Sequence, residues 1–229
     1  MEAFQERNLH YEKYKFLRGS MIIIEGNISS GKSTLCRSVV NYLNRIGLKA
    51  KLYDEPILSS YLDLFLTDMK KYAFGFQMSM LIERQCLYRN AQVFSDDGGI
   101  AIIDRSMHGD KVFALLHYKN GNIKPKEMNS YDDVFSRLKF KAPSFVLYLE
   151  VDPEILAERC DRRNRGCESS VYSLEYFKNL SQIYDDVIPN MTTTNGIIRF
   201  DWNEDIEPED FEQTTIYVLD KMRNSYFYL

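Results

Sequence analysis

Short apolar, largely β-branched runs occur at Met21 to Glu25, Lys49 to Tyr53, Ile100 to Asp104, Phe145 to Val151 and Gly196 to Phe200. Longer stretches with helical spacing follow them: Lys32 to Arg45, Pro56 to Lys71 leading into Ala73 to Phe94, His108 to Tyr118, Pro153 to Arg163, and Glu209 to Arg223. Apolar character that is continuous rather than alternating marks strands buried on both faces, and strands separated by helices pair in parallel. An all-helical bundle has no place for runs such as IAIID or FVLYLEV. The pattern predicts an α/β fold of three layers, a five-stranded parallel sheet with helices on both faces.

Composition changes this picture only at its edges. A chain of 229 residues can form one domain with a real core. Residues 1–20 mix acids and bases without a signal-like apolar run, so they are expected to form a flexible extension before a single domain over 21–229. No stretch approaches the roughly 20 apolar residues of a membrane span. The balance of 29 Lys and Arg against 33 Asp and Glu, a net charge of -4, argues against a general binder of nucleic acid or membrane, which needs a broad basic face. It leaves room for a local basic site. Cys36, Cys86, Cys160 and Cys167 are widely spaced without a CxxC pair, which points to a reducing, cytoplasmic setting.

The most specific chemistry lies between the first strand and the first helix. Gly26, Asn27, Ile28, Ser29, Ser30, Gly31, Lys32 and Ser33 match GxxxxGK[ST], and Thr34 continues into the helix. Such a loop aims backbone N–H groups and a helix N-terminus at phosphate oxygens, with Lys32 on the β- and γ-phosphates and Ser33 on Mg2+. The fold expectation sharpens to the P-loop kinase type. What the loop leaves open is whether the γ-phosphate goes to water or to a small molecule.

In such a sheet the C-terminal strand ends share one crevice with the loop. The second predicted strand runs into Asp54-Glu55-Pro56, and the proline fixes the chain direction just after Glu55. Glu55 is placed there to accept a proton from an attacking hydroxyl, while Asp54 serves as a cap. The third ends in Asp104-Arg105-Ser106, an acid for the metal beside a guanidinium for the phosphates. Further on, Arg159, Arg162, Arg163 and Arg165 crowd into seven residues before a Gly/Ser segment. They read as a closing lid at about 159–170, with Arg159 and Arg163 on one helical face.

Together these residues resemble the deoxynucleoside kinase family, from about Met21 to the C-terminus. Ile24-Glu25-Gly26-Asn27-Ile28 is similar to the family's opening, Glu55-Pro56-Ile57 to its EPV-type base motif, and Asp104-Arg105-Ser106 to its (D/E)RS triplet. Phe76-Gln77 resembles the helical pair whose ring stacks on the nucleobase and whose amide bonds its edge. Arg159, Arg163 and Arg165 match the lid pattern RxxxRxR, followed by Leu174-Glu175-Tyr176-Phe177 as by the family's LEYL-like helix. Asp201-Trp202-Asn203-Glu204-Asp205 is similar to the loop beside the donor adenine, so Glu204 and Asp205 join the donor site. Arg84 and Asp110 match the ion pair at the base edge of deoxycytidine- and deoxyguanosine-type members.

The resemblance implies a deoxynucleoside acceptor, deoxycytidine or a purine deoxynucleoside over thymidine, with ATP as donor and Mg2+ held by Ser33 and Asp104. It implies Glu55 as base, and Lys32, Arg105 and Arg163 as groups that stabilise the transferring charge. It further implies nucleotide salvage, a homodimer and end-product inhibition. Departures fall on the sugar and base. The family's tyrosine for the 3'-hydroxyl is Leu66, leaving Glu168 as its partner, and no tryptophan follows the EPV motif, where Tyr61 stands nearby. Phe113 precedes by one position the site of the family's base-contacting phenylalanine, here Ala114. The rivals are a nucleoside monophosphate kinase of the thymidylate kinase type and a non-catalytic nucleotide-binding subunit on the same fold. A GTPase lacks support, since no NKxD sequence occurs.

Overall fold

A computed structural model of the chain describes residues 2–56, 58–163 and 172–227. Its centre is a sheet of β1 (Met21–Gly26), β2 (Ala50–Tyr53), β3 (Ile100–Asp104), β4 (Phe145–Glu150) and β5 (Ile197–Asp201). The spatial order is β2-β3-β1-β4-β5. Every pair is parallel, with Ile23 opposite Ile103 on one side and Val146 on the other. The five apolar runs thus become the five strands, and their C-terminal ends open on one edge.

Alternation along each strand splits the core in two. Met21 and Ile23 point to one face, with Ala101, Ile103, Val146 and Tyr148. There they meet α3 (Ser59–Thr67), the long α4 (Met69–Asp96), α5 (Met107–Lys119), α6 (Pro125–Arg137) and a helix over Leu174–Val187. Ile22 and Ile24 point to the other face, with Ile100, Ile102, Phe145 and Leu147. That face is covered by α2 (Lys32–Arg45) and the C-terminal helix Phe211–Phe227. In chain order the remaining helices are α7 (Pro153–Arg163), α8 (Leu174–Val187) and α9 (Phe211–Phe227). No helix among the described residues is long and apolar enough to cross a membrane.

The boundaries of α2 and α7 match the sequence reading, because a phosphate loop and a proline mark their starts. The break between α3 and α4 falls earlier than expected, at Asp68, whose side chain accepts from the Lys71 N–H at 3.1 Å and caps α4. Two further helices lie in segments to which the sequence reading assigns none. The first is α6, begun by Pro125 and by Glu127 Oε2 accepting from the Lys124 N–H at 2.8 Å.

The second requires a correction. Where the sequence suggests an extension outside the domain, the chain forms α1 (Glu2–Tyr14) and a single 3-10 turn, Lys15–Leu17, that dock on the domain. Tyr14 and Leu17 are fully buried against α2 and α9. The Tyr14 hydroxyl donates to Asp220 Oδ1 at 2.8 Å, and its ring meets Tyr42 edge-on. Tyr14, helped by His10 on the Tyr42 hydroxyl and Lys13 on Asp220, holds this helix in place of an apolar stripe. Tyr14→Ala should therefore lower the free energy of unfolding by about 3–5 kcal/mol, as for other large aromatic truncations in a core. A loss below about 1 kcal/mol in urea titration would contradict this docking.

Candidate active site

The phosphate loop joins β1 to α2. Gly26 has φ +153, and a Cβ there would stand 2.7 Å from Ser30 Oγ and 2.9 Å from Leu149 O, so the tight turn needs glycine. Gly31 has φ +90 and Ser29 φ 62, which turns the loop back on itself before the helix. Asn27 ties the loop down: its Nδ2 donates to Phe177 O at 3.1 Å and to Ser181 Oγ at 2.8 Å on α8. Its Oδ1 accepts from the Ile28 N–H at 2.7 Å. Lys32 is buried, with Nζ donating to Asn27 O at 2.7 Å. Burial, reinforced by Arg105 nearby, brings its ammonium down to about 8.

At the end of β3, Ser33 Oγ donates to Asp104 Oδ2 at 2.5 Å. The other oxygen, Asp104 Oδ1, is buried with no partner among the described residues. A buried, unpartnered carboxylate oxygen beside a phosphate loop and a serine hydroxyl is a donor set suited to Mg2+.

Glu55 follows β2 and is the hub of a charge network. It accepts from Arg105 Nε at 3.0 Å and from Arg84 Nη2. Arg84 Nε in turn donates to Asp110 Oδ1 at 3.2 Å, and Tyr131 OH to Asp110 Oδ2 at 2.7 Å. Burial favours the neutral form of Glu55, but Arg105, Arg84 and Lys32 outweigh it and pull the carboxyl down to about 2. For Asp110 the balance is reversed, and burial raises its carboxyl despite Arg84 and Tyr131. Glu55 and Asp110 hold Arg84 firmly charged against the effect of its own burial.

Arg105 has φ 72, one of two non-glycine positive values among the described residues. Its guanidinium lies 4.8 Å from the Phe113 ring centroid, and Nη1 donates to Gly26 O at 3.2 Å and to Tyr184 OH. The side chain thus reaches both the phosphate loop and Glu55.

These groups share a cavity of about 720 Å3, of the size that holds a small-molecule ligand. Lys32, Ser33 and Asp104 lie at its phosphate-loop end; Phe76, Gln77, Arg84, Asp110, Phe113 and Arg163 also line it. Gln77 is buried and its amide has no hydrogen-bond partner among the described residues. Phe76 is less open than expected, since Phe65 stacks on one face with centroids 4.7 Å apart and planes at 10°. Leu66 lines the cavity, as expected of the position where the tyrosine is missing. Tyr61 does not line it; it packs edge-on against Phe76, with its hydroxyl over Gly75. Phe113 supplies the wall, while Ala114 is fully buried in the core.

A second cavity of about 350 Å3 adjoins the loop and is lined by Gly31, Thr34, Trp202, Glu204, Asp205 and Arg159, among others. Here Arg159 and Arg163, expected on one face of a lid, part company. Arg159 is clamped on the 202–205 loop, with Nε to Asp205 Oδ1 at 2.9 Å, Nη1 to Trp202 O at 3.0 Å and Nη2 to Glu204 O at 2.9 Å. Arg163, one turn on, lines the larger cavity. Arg165 and Glu168 lie outside the described residues.

Sequence reasoning missed His117, Phe65 and Tyr176, which also line the larger cavity. His117 is buried, its Nδ1 within 3.3 Å of Asn122 Nδ2, and burial lowers its imidazole to about 4, so it stays neutral. A signal for it exists: Asp110, Phe113 and His117 stand at i, i+3 and i+7 on α5, one helical face. Phe65 and Tyr176 come from separate helices, and no local pattern links them.

The profile of the deoxynucleoside kinase family matches residues 22–225. The chain is 32% identical to a deoxyadenosine kinase of Dictyostelium discoideum, over 91% of this chain and 83% of that protein. It is 28% identical to a deoxyadenosine/deoxycytidine kinase of Bacillus subtilis, over 75% of this chain and 77% of that one. Among solved structures, a deoxyadenosine kinase from M. mycoides with bound dCTP is similar with a TM-score of 0.68, over 88% of this chain and 99% of that chain. At 22% identity the likeness is one of fold, a P-loop kinase sheet with helices on both faces.

The lowered Lys32 ammonium generates a prediction for phosphate binding. Lys32 loses its charge as pH rises through about 8, so ATP affinity should fall by about twofold from pH 7 to 8 and approach a tenfold fall per pH unit above about pH 9. Calorimetric titration at fixed ionic strength measures this. Affinity unchanged up to pH 9.5 would contradict the placement of Lys32 on the phosphates.

Proposed function

The chain belongs to the deoxynucleoside kinase family, and from that premise we propose that it transfers the γ-phosphate of ATP to the 5'-hydroxyl of a deoxynucleoside, taking deoxycytidine and purine deoxynucleosides over thymidine. The observation that carries the reading is Glu55 held by Arg84 and Arg105 in one cavity with Lys32 and Asp104.

In this reading ATP lies with its adenine in the smaller cavity by Arg159, Glu204 and Asp205, and its phosphates on residues Gly26 to Thr34. Mg2+, held by Ser33 and Asp104, would neutralise charge on the β- and γ-phosphates. The deoxynucleoside lies in the larger cavity with its 5'-hydroxyl at Glu55. The O5'–Pγ bond forms as the bond from Pγ to the β–γ bridging oxygen breaks; the hydroxyl proton goes to Glu55, and ADP and a 5'-monophosphate result. The transition state for such transfers is loose, so Glu55 serves first to orient the hydroxyl and takes the proton late. Its low resting proton affinity fits that order. As the transferring phosphoryl group draws Arg105 towards itself, Glu55 loses a cationic partner and becomes the better base. Arg163, which lines the same cavity, adds positive charge.

Specificity follows from the far wall. The Gln77 amide and the Arg84–Asp110 pair present both donors and acceptors to a base edge. Cytosine and adenine carry an exocyclic amine that an Asp110 oxygen can accept. Thymine offers a carbonyl oxygen there, which faces a carboxylate unfavourably. The relatives named for deoxyadenosine and deoxycytidine support the same choice. A role in cytoplasmic nucleotide salvage goes with this reading. So does a homodimer, supported by the exposed Ile82, Cys86 and Val93 along α4.

The test is kcat/KM for the four natural deoxynucleosides, cytidine, adenosine and deoxycytidine monophosphate, with ATP and Mg2+. Deoxycytidine or a purine deoxynucleoside should lead, with thymidine at least about tenfold behind. A monophosphate as best acceptor would identify a monophosphate kinase instead. Glu55→Gln should nearly abolish transfer while the protein still folds. Arg163→Ala should lower kcat by about 10² to 10³ with nucleoside KM nearly unchanged. Wild-type turnover in either variant would remove that residue from its role.

A further inference from the structure

Glu25 is a buried acid at the site that the transfer step leaves unused. It precedes the phosphate loop on β1 and is fully buried. Its Oε1 accepts twice from one residue, from the Ser106 N–H at 2.6 Å and from the Ser106 hydroxyl at 2.5 Å. Its Oε2 has no partner among the described residues.

Ser106 is the residue after Arg105, whose backbone is in the left-handed region without a glycine's freedom. Such a conformation persists only where its surroundings over-determine it. Three contacts do so. The Arg105 N–H donates to Ile24 O at 3.0 Å, which fixes the peptide before the turn. Glu25 fixes the peptide after it. Ser106 Oγ also accepts from the Gly109 N–H at 3.0 Å, so the first turn of α5 starts on the same hydroxyl that Glu25 holds. Gly109 belongs to this arrangement, because a Cβ there would stand 2.5 Å from Glu25 Oε1 and 2.6 Å from Arg105 Cγ. Turned this way, the Arg105 side chain runs back across the end of β1, to Gly26 O at 3.2 Å and Glu55 Oε1 at 3.0 Å.

We propose that Glu25 is a positioning residue for phosphoryl transfer: by clamping Ser106 it holds Arg105 in its left-handed turn and so sets the guanidinium between Glu55 and the phosphate loop. This rests on the transferase reading above. Glu25 does not line the larger cavity, and its hydrogen bonds go to the residue after Arg105, so it acts through Arg105.

A double-mutant cycle tests that route. Glu25→Ala should lower kcat by about 10- to 100-fold with the KM for deoxynucleoside changed by less than about threefold. In an Arg105→Ala background the same substitution should change kcat by less than about twofold, because the residue it positions is gone. Glu25→Gln, whose amide oxygen still accepts both Ser106 bonds, should recover most of the rate. Losses that multiply in the cycle, or a Glu25→Gln as slow as Glu25→Ala, would overturn the proposal. Should Glu25→Ala fail to fold, Ser106→Ala takes its place in the cycle with the same reading. If the wild-type enzyme turns over no deoxynucleoside, the transferase reading fails, and crystal structures of Glu25→Ala or Ser106→Ala decide the clamp alone. Arg105 should leave its positive φ and its bond to Gly26 O; Arg105 unmoved would overturn the clamp.

Discussion

Two guanidinium groups share one carboxylate at the heart of this protein. Glu55 accepts from Arg84, which is nearly inaccessible to solvent, and from Arg105, which is equally buried. Neither arginine can be left unpaired at such depth, since an uncompensated buried charge costs about 3–5 kcal/mol when its partner is removed. Each therefore has a second anchor: Arg84 on Asp110, Arg105 on Gly26 O and Tyr184. The network ties β1, β2 and β3 ends to α4, α5 and α8. In the proposed transfer it also leaves Glu55 poised, because a phosphate that draws Arg105 away would change the carboxylate's affinity for a proton.

The sheet makes this convergence possible. Met21 and Ile23 pack one layer while Ile22 and Ile24 pack the other, so β1 is locked from both sides and its register against β3 and β4 cannot slip. A rigid β1 carries the phosphate loop at its end and Glu25 just before it. Next to it, β3 delivers Asp104 and Arg105, and β2 delivers Glu55. The candidate site is thus assembled from three strand ends that the core holds in fixed relation.

Much of this was legible in the residues themselves. The strands announced themselves because burial on both faces demands unbroken apolar runs, and the phosphate loop because its eight positions are contiguous. Glu55, Asp104 and Arg105 could be placed because strand ends share a crevice. What stayed hidden depends on contacts between distant segments. Helix α1 docks through Tyr14, His10 and Lys13 on residues of α2 and α9, contacts with distant helices that no periodic signal marks. The stack of Phe65 on Phe76 joins two helices, and nothing in either predicts that one face of Phe76 is covered. Arg159 and Arg163 share a helical face by spacing, yet one turn along α7 sends Arg159 to the 202–205 loop and Arg163 to the larger cavity. The double acceptance by Glu25 was invisible for the same reason, because Ser106 lies on another strand's end.

The central claim is that Glu55, Arg105 and the phosphate loop deliver the γ-phosphate of ATP to a nucleoside hydroxyl rather than to water. Mass spectrometry of a reaction run with γ-18O-labelled ATP, Mg2+ and deoxycytidine or deoxyadenosine tests it most directly. A labelled deoxynucleoside 5'-monophosphate in equal amount to ADP is the predicted outcome. Label recovered only as inorganic phosphate, or ADP formed at the same rate without nucleoside, would contradict it.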